Sequence, residues 1–157
     1  MCDISIYTDG AYSREYNLGG YAYIIKYTTG KHKVLKEWSM YNGIKCNKRD
    51  YDSTVMELVA VNRAIEDLIG QNKNLKTYSI RLFTDAKSIV DSVNSKSFEI
   101  MKHRHFDGKR SKWEWDKLYN YLRSYNIKMI FVHGNFRNKE SRKCDTLAKL
   151  AIASLKE

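Results

Sequence analysis

The sequence predicts an α/β domain on a mixed five-stranded sheet: a three-strand antiparallel meander, then two parallel strands, with helices on both faces. Three observations predict it. Ile4 to Thr8 alternates apolar and polar residues, and two further strand-like runs around a turn follow it in the first third of the chain. From Thr54 apolar residues recur instead at three- and four-residue steps. From there strand-like and helix-like segments follow one another to the C-terminus. Strands joined through helices run parallel by right-handed crossovers.

The elements follow in order. Ile4 to Thr8 alternates with apolar Ile4 and Ile6 and reads as the first strand. After a turn-rich stretch ending in Gly19-Gly20, "YAYIIKYTT" and "KVLKEWSMY" read as two strands around a turn at Gly30. Leu58, Val61, Ile65 and Leu68 then mark a helix from about Thr54 to Ile69, capped by Ser53 or Thr54. "SIRLFTD" is a strand and "AKSIVDSVN" a short helix. "KWEWDKLYNYLRSY" is a helix, "IKMIFVH" a strand and "SRKCDTLAKLAIASLKE" an amphipathic closing helix.

With 157 residues, no proline, no Gly/Ser-rich linker and no repeat, the chain is read as one domain over residues 1–157. Its 43% hydrophobic content suffices for a core. Twenty-eight Lys and Arg against 18 Asp and Glu give a net charge of +10, which points to a polyanionic partner, nucleic acid first. No run of about eighteen apolar residues and no leader-like start is present, so no membrane partner and an intracellular, cytoplasmic location are expected. Cys2, Cys46 and Cys144 are odd in number and widely spaced, which fits reduced thiols and neither a disulfide framework nor a zinc site.

Two phrases are nearly the same: "IYTDGA", with Asp9, and "LFTDAK", with Asp85. If their strands lie side by side and parallel, both carboxylates reach the edge of the sheet where open α/β sheets bind ligands. Asp9 shares a face with Tyr7 and Ser5, and Asp85 with Phe83 and Arg81, so matched registers bring the acids together. Two such charges repel unless a cation lies between them. With Glu57 set at zero on a helical wheel, Leu68 falls at about 20°, Val61 at about 40°, Ile65 at about 80° and Leu58 at about 100°. Glu57 therefore sits at the margin of the apolar stripe, where a carboxylate facing the sheet needs a partner. Asp145 is a fourth candidate, near the start of the last helix, where the helix dipole alone would favour an acid. Singly, these acids read as turn formers, solvated residues or caps.

Together they are recognisable. "YTDGAY", "TVMELVAVNRAI", "LFTDAKSIV" and "RKCDTLAKLA" resemble, in order and spacing, the four signature blocks of type 1 ribonuclease H, from Asp3 to Ala153. The resemblance implies the ribonuclease H-like fold and hydrolysis of the RNA strand of RNA·DNA hybrids, leaving 5′-phosphate and 3′-hydroxyl ends. It implies Asp9, Glu57, Asp85 and Asp145 as catalytic, metal-binding carboxylates for two Mg²⁺ ions, with Mn²⁺ as a substitute. Hard cations suit carboxylate oxygens, and two of them about 4 Å apart clamp both oxygens of the displacement. By the same resemblance Gly10 and Ala11 offer main-chain contacts to RNA, and Glu57 meets a 2′-hydroxyl.

The pattern departs from the family at three places. Asn135 stands ten residues before Asp145, where many members carry a loop His; it is kept among the substrate-binding candidates. His133, two residues earlier, reads first as an ordinary strand-end residue and second as an auxiliary. Asp52, Ser53 and Thr54 precede the Met-Glu block in place of Thr-Asn-Asn, with Ser53 and Thr54 still able to donate to phosphate or a 2′-hydroxyl. Ser141 stands where Asn is frequent.

The run "MKHRHFDGKRSKWEW" lies where some members carry a basic protrusion. It offers Lys102, Arg104, Lys109, Arg110 and Lys112 to phosphates, with one of Trp113 and Trp115 buried and the other available. A monomer without a separate hybrid-binding domain is expected. Two alternatives stand beside the nuclease: a binding module of this fold without efficient turnover, and another polynucleotidyl transferase or nuclease on the same scaffold.

Overall fold

The computed structural model describes residues 2–133 and 138–156. The strands are β1 (Cys2–Ser13), β2 (Leu18–Thr29), β3 (Val34–Lys45), β4 (Ser79–Thr84) and β5 (Ile127–Phe131). The helices are α1 (Ser53–Gln71), α2 (Lys87–Asn94), α3 (Ser97–His103), α4 (Lys112–Ser124) and α5 (Lys139–Lys156). The sheet order is β3-β2-β1-β4-β5. β1, β2 and β3 pair antiparallel, and β1–β4 and β4–β5 pair parallel, as the alternating segments predict.

Strand alternation divides the core between the two faces. Ile4, Ile6, Ile25, Ile80 and Leu82 pack with Leu58, Val61, Ile65 and Leu68 of α1, all 1% exposed or less. Fully burying each such side chain contributes about 1.5–3 kcal/mol. On the opposite face Ala22 and Ile24 meet Cys144 and Ala148 of α5. α5 comes this close because β2 carries Gly20, where a Cβ would lie 2.0 Å from the Ala148 carbonyl oxygen.

Four features differ from the sequence reading. β1 runs on to Ser13, well past Thr8, because its pairing with β2 continues to Ser13–Leu18. The cap of α1 is Asp52, whose Oδ1 accepts from the Val55 N–H at 2.8 Å, in place of Ser53 or Thr54. α5 begins at Lys139, with the Asn138 side chain accepting from the Ser141 N–H at 2.8 Å. The helix α3 stands just ahead of and within the basic run. It is seven residues long, too short to show helical periodicity, and is held by Phe98 against Phe106 and Tyr119. Beyond it His105, Phe106, Gly108 and Ser111 all adopt positive φ, a succession of turns that hydrophobic patterning does not register.

Candidate functional site

β1 and β4 pair in parallel up to Tyr7–Phe83, whose rings stack at 5.0 Å. Asp9 and Asp85 each lie two residues beyond that pair and on its face, so register alone brings the two acids to one place. Thr8 and Thr84 point to the other face and are buried. Thr84 Oγ1 accepts from the Ala86 N–H at 3.2 Å and so turns the chain out of β4 at Asp85. Asp9 is not at a strand end, as its Thr-Asp motif suggests, but inside β1 where β4 has left the sheet.

The third acid arrives on α1. A Cβ on Gly10 would lie 2.3 Å from the Met56 carbonyl carbon and 2.5 Å from the Glu57 nitrogen, so α1 crosses β1 in backbone contact at the one residue without a side chain. The helix thus sets Glu57 beside Asp9. Carboxylate oxygens of Asp9, Glu57 and Asp85 all lie within 4.8 Å of one another.

The electrostatics of this group are unfavourable without a counterion. Asp9 is 4% exposed, and burial, with the charges of Asp85 and Asp145 added, pushes its pKa up to about 7; hydrogen bonds from Glu57 and the Gly10 N–H pull the other way. The Gly10 bond is 2.9 Å long. Burial, followed by the Asp9 charge, also holds Glu57 well above the usual carboxylate range. Glu57 Oε2 is buried with no hydrogen-bond partner among the described residues. An orphaned buried carboxylate oxygen facing two further carboxylates is a donor set for a hard divalent cation.

Asp145 does not join the 4.8 Å group. It is the seventh residue of α5, past the first turn where the helix dipole acts, so the capping explanation for it falls away. The first-turn acid is Glu140, paired with Lys26. Asp145 is half-buried and ion-paired to Lys149 at 3.1 Å, while its charge still reaches Asp9.

Around the acids the other candidates separate. Thr54 lines a recess of about 290 Å³ with Asp52, Ser88, Lys109, Arg110 and Trp115. Ser53 lines a second, of about 280 Å³, with Arg14, Lys48 and Arg110. Gly10 and Ala11 lie in β1 beside Asp9. Lys102 is paired with Asp116 and lies over the Tyr119 ring, and Lys109 lies 5.3 Å over Trp115. Arg104 and Lys112 are exposed. Trp115 is 4% exposed and Trp113 46%, the division expected of the pair. His133 is exposed with its ring edge-on to Phe131 at 6.2 Å, and Asn135 lies outside the described residues. Three contributors escaped the sequence reading. Asp52 had a visible signal, an N-cap residue type three before Val55. The loop with Lys48 and Arg49 had only its charge. The buried Glu114, a charged residue between Trp113 and Trp115, had none.

The family described as RNase H matches residues 2–153. The chain is 31% identical over 160 residues to a Ribonuclease H of Clostridium botulinum, covering 97% of each. It is 30% identical over 155 residues to Ribonuclease HI of Campylobacter jejuni, covering 99% of this chain and 94% of that one. In fold it is similar to LC11-RNase H1, whose crystal structure is a complex with an RNA/DNA hybrid, at a TM-score of 0.70 and 22% identity over 99% of this chain and 100% of that one. It is similar also to LC9-RNase H1, at 0.76 and 16% over 96% and 72%.

Proposed function

The chain belongs to the RNase H family, and on that premise we propose that it hydrolyses the RNA strand of RNA·DNA hybrids in a reaction that needs divalent cations. The observation that carries the reading is the convergence of carboxylate oxygens of Asp9, Glu57 and Asp85 within 4.8 Å, together with Glu57 Oε2, buried and without a hydrogen-bond partner among the described residues. These three, with Asp145 approaching from α5, would hold two Mg²⁺ ions when substrate is present, with Mn²⁺ able to replace them. Bound there, the cations supply polarisation of the phosphodiester and neutralise charge on the leaving oxygen. Water adds to phosphorus, the bond to the 3′ oxygen breaks, and the ends are 3′-hydroxyl and 5′-phosphate.

The protein's own share is positioning. β1 and β4 hold two carboxylates in register on one face. Gly10 admits α1 so that Glu57 faces them, beside the point where a 2′-hydroxyl would identify RNA. Gly10 and Ala11 would offer main-chain groups to the RNA, and Ser53 and Thr54 hydroxyls to phosphate or ribose. Lys102, Arg104, Lys109 and Lys112 would contact phosphates, steering the hybrid without reading its sequence. We read residues 1–157 as one such domain, supported by a family match that spans 2–153.

The test is cleavage of an end-labelled RNA·DNA hybrid beside duplex RNA and duplex DNA, with Mg²⁺, with Mn²⁺ and with chelator. Cutting of the hybrid RNA alone, dependent on the cation and lost in Asp9→Asn and Asp85→Asn, is the expected result. Hybrid binding without cutting in any cation would make the chain a binding module, and cutting of ribonucleotide-free duplex DNA would move it to another nuclease class.

A further inference from the structure

The basic run is fastened at two levels, to the loop and cap that precede α1 and to the middle of α1. At the first, Arg110 donates from Nη1 to the carbonyl oxygens of Lys48 at 2.6 Å and Arg49 at 3.5 Å, and its Nε lies 3.6 Å from Asp52 Oδ2. Ser111, held at φ 48°, donates from Oγ to the Asp50 carbonyl oxygen at 2.5 Å. Two adjacent residues therefore bind three successive carbonyls and the helix cap. Asp52 meanwhile uses its other oxygen to accept from the Val55 N–H. At the second level Glu114, 2% exposed, accepts from Asn62 Nδ2 at 2.9 Å and from Arg63 Nη2 at 2.5 Å. Asn62 also donates to the Glu114 carbonyl oxygen at 2.8 Å. Glu57 lies midway, five residues from Asp52 and five from Asn62, so the two levels bracket it along α1.

We propose that Arg110 is a positioning residue: with Ser111 it holds the 48–52 loop and the first turns of α1, and so sets where Glu57 stands against Asp9, rather than serving as a phosphate contact. The proposal rests on the hybrid-nuclease reading above. Arginine suits this task because its rigid fork spreads donors over three nitrogens and reaches acceptors several ångströms apart, whereas the three donors of a lysine ammonium diverge from one atom. Nη1 is committed to the two carbonyls and Nε faces the Asp52 carboxylate, so a hybrid phosphate meets only the outer Nη2 edge of the guanidinium, beside a competing acid. Arg110 is itself exposed, so its bonded guanidinium, not burial, sets it apart; Lys109 and Lys112, on either side of the Arg110–Ser111 pair, are exposed as well and point charges suffice for them. A displacement of about 1 Å at a reacting group costs up to about 10²-fold in rate, so a loosened α1 shows in turnover before it shows in affinity.

The experiment compares wild type, Arg110→Ala, Arg110→Lys, Ser111→Gly and Lys109→Ala by two readouts: hybrid cleavage resolved into kcat and KM, and hybrid binding in chelator as a function of salt. Wild-type cleavage tests the nuclease reading first. Lys109→Ala is expected to lower the slope of log affinity against log salt by about one, the signature of a lost phosphate contact. Arg110→Ala is expected to leave that slope unchanged and to lower kcat by about 10- to 100-fold with KM little altered. Arg110→Lys does not rescue. Ser111→Gly, which keeps the turn without strain and carries no charge change, moves kcat the same way by a smaller factor. A slope reduced by about one in Arg110→Ala, together with wild-type turnover in Arg110→Lys, overturns the proposal. If wild type binds the hybrid without cutting it, the nuclease reading fails. Mn²⁺ affinity of the protein alone, by calorimetry, then decides: weaker in Arg110→Ala supports positioning, and equal affinity overturns it. If Arg110→Ala does not fold, Arg110→Lys and Ser111→Gly carry the same decision.

Discussion

The acidic end of the sheet and the basic run beside it are built on opposite terms. At the acidic end, strand register and the Gly10 contact force three carboxylates within 4.8 Å, with a buried Glu57 oxygen that no hydrogen bond satisfies among the described residues. In the basic run, exposed Lys and Arg side chains stand on a frame in which the buried charge is paired: Glu114 with Arg63 and with Asn62 Nδ2, Ser111 with a carbonyl, Trp115 within the core, and Asn62 Oδ1 alone of these lacking a hydrogen-bond partner among the described residues. One region stores electrostatic tension that a bound cation would relieve. The other keeps its surface charge in water and its buried charge paired. On the proposed function, a site that acts by filling and a surface that acts by attraction would respond in opposite directions to the same kind of change.

The largest expected effect breaks the matched side. Glu114→Ala removes the buried carboxylate that Arg63 and Asn62 share, leaving Arg63 to Glu66 and Asn62 to the backbone carbonyl, and with the cavity it opens should destabilise the fold by about 3–5 kcal/mol, read from urea unfolding. The next belongs to the acids. Asp9 has a folded pKa raised to about 7 from an ordinary value of 3.8. The metal-free fold thus keeps the full contribution of the protonated group below the ordinary value and loses it as pH rises through about 7. The difference in stability between wild type and Asp9→Asn, measured in chelator from pH 4 to 8.5, should change by up to on the order of 4 kcal/mol over that window, wild type weakening as pH rises. A flat difference would mean that Asp9 is ionised in the fold throughout.

Smaller effects sharpen the contrast. Gly10→Ala drives a Cβ into the Met56 backbone and should cost about 1–3 kcal/mol, while also moving Glu57 and weakening Mn²⁺ binding. Lys112→Ala, on an exposed side chain, should change unfolding free energy by no more than about 0.5 kcal/mol and yet lower the salt slope of hybrid binding by about one.

The same contrast explains what the sequence could reveal. The sheet and the meeting of Asp9 with Asp85 are legible because strand periodicity fixes faces and two Thr-Asp phrases fix register. Glu57 is legible as a carboxylate at the edge of an apolar stripe. What did not show was the extent of β1, since pairing with β2 outlasts pairing with β4, and the true cap Asp52, one residue ahead of two equally good hydroxyls. Asp145 was legible as an acid on the last helix but not by its place, because the helix starts two residues earlier than its apolar pattern. In the basic run charge was readable from composition. The four positive-φ residues, the seven-residue α3 and the carbonyls gathered by Arg110 were not, because turns are set by backbone contacts that no periodicity encodes.

The most direct measurement of the central claim, that the acid cluster is a cation site kept under tension, is thermal unfolding of wild type and Asp9→Asn at pH 7.5 across a Mn²⁺ titration begun in chelator. A ligand that binds only the folded state raises Tm with its concentration. Metal-free Asp9→Asn should melt above metal-free wild type, wild type should rise with Mn²⁺, and the variant should respond far less. Wild type indifferent to Mn²⁺, or a variant that starts lower and rises equally, would contradict it.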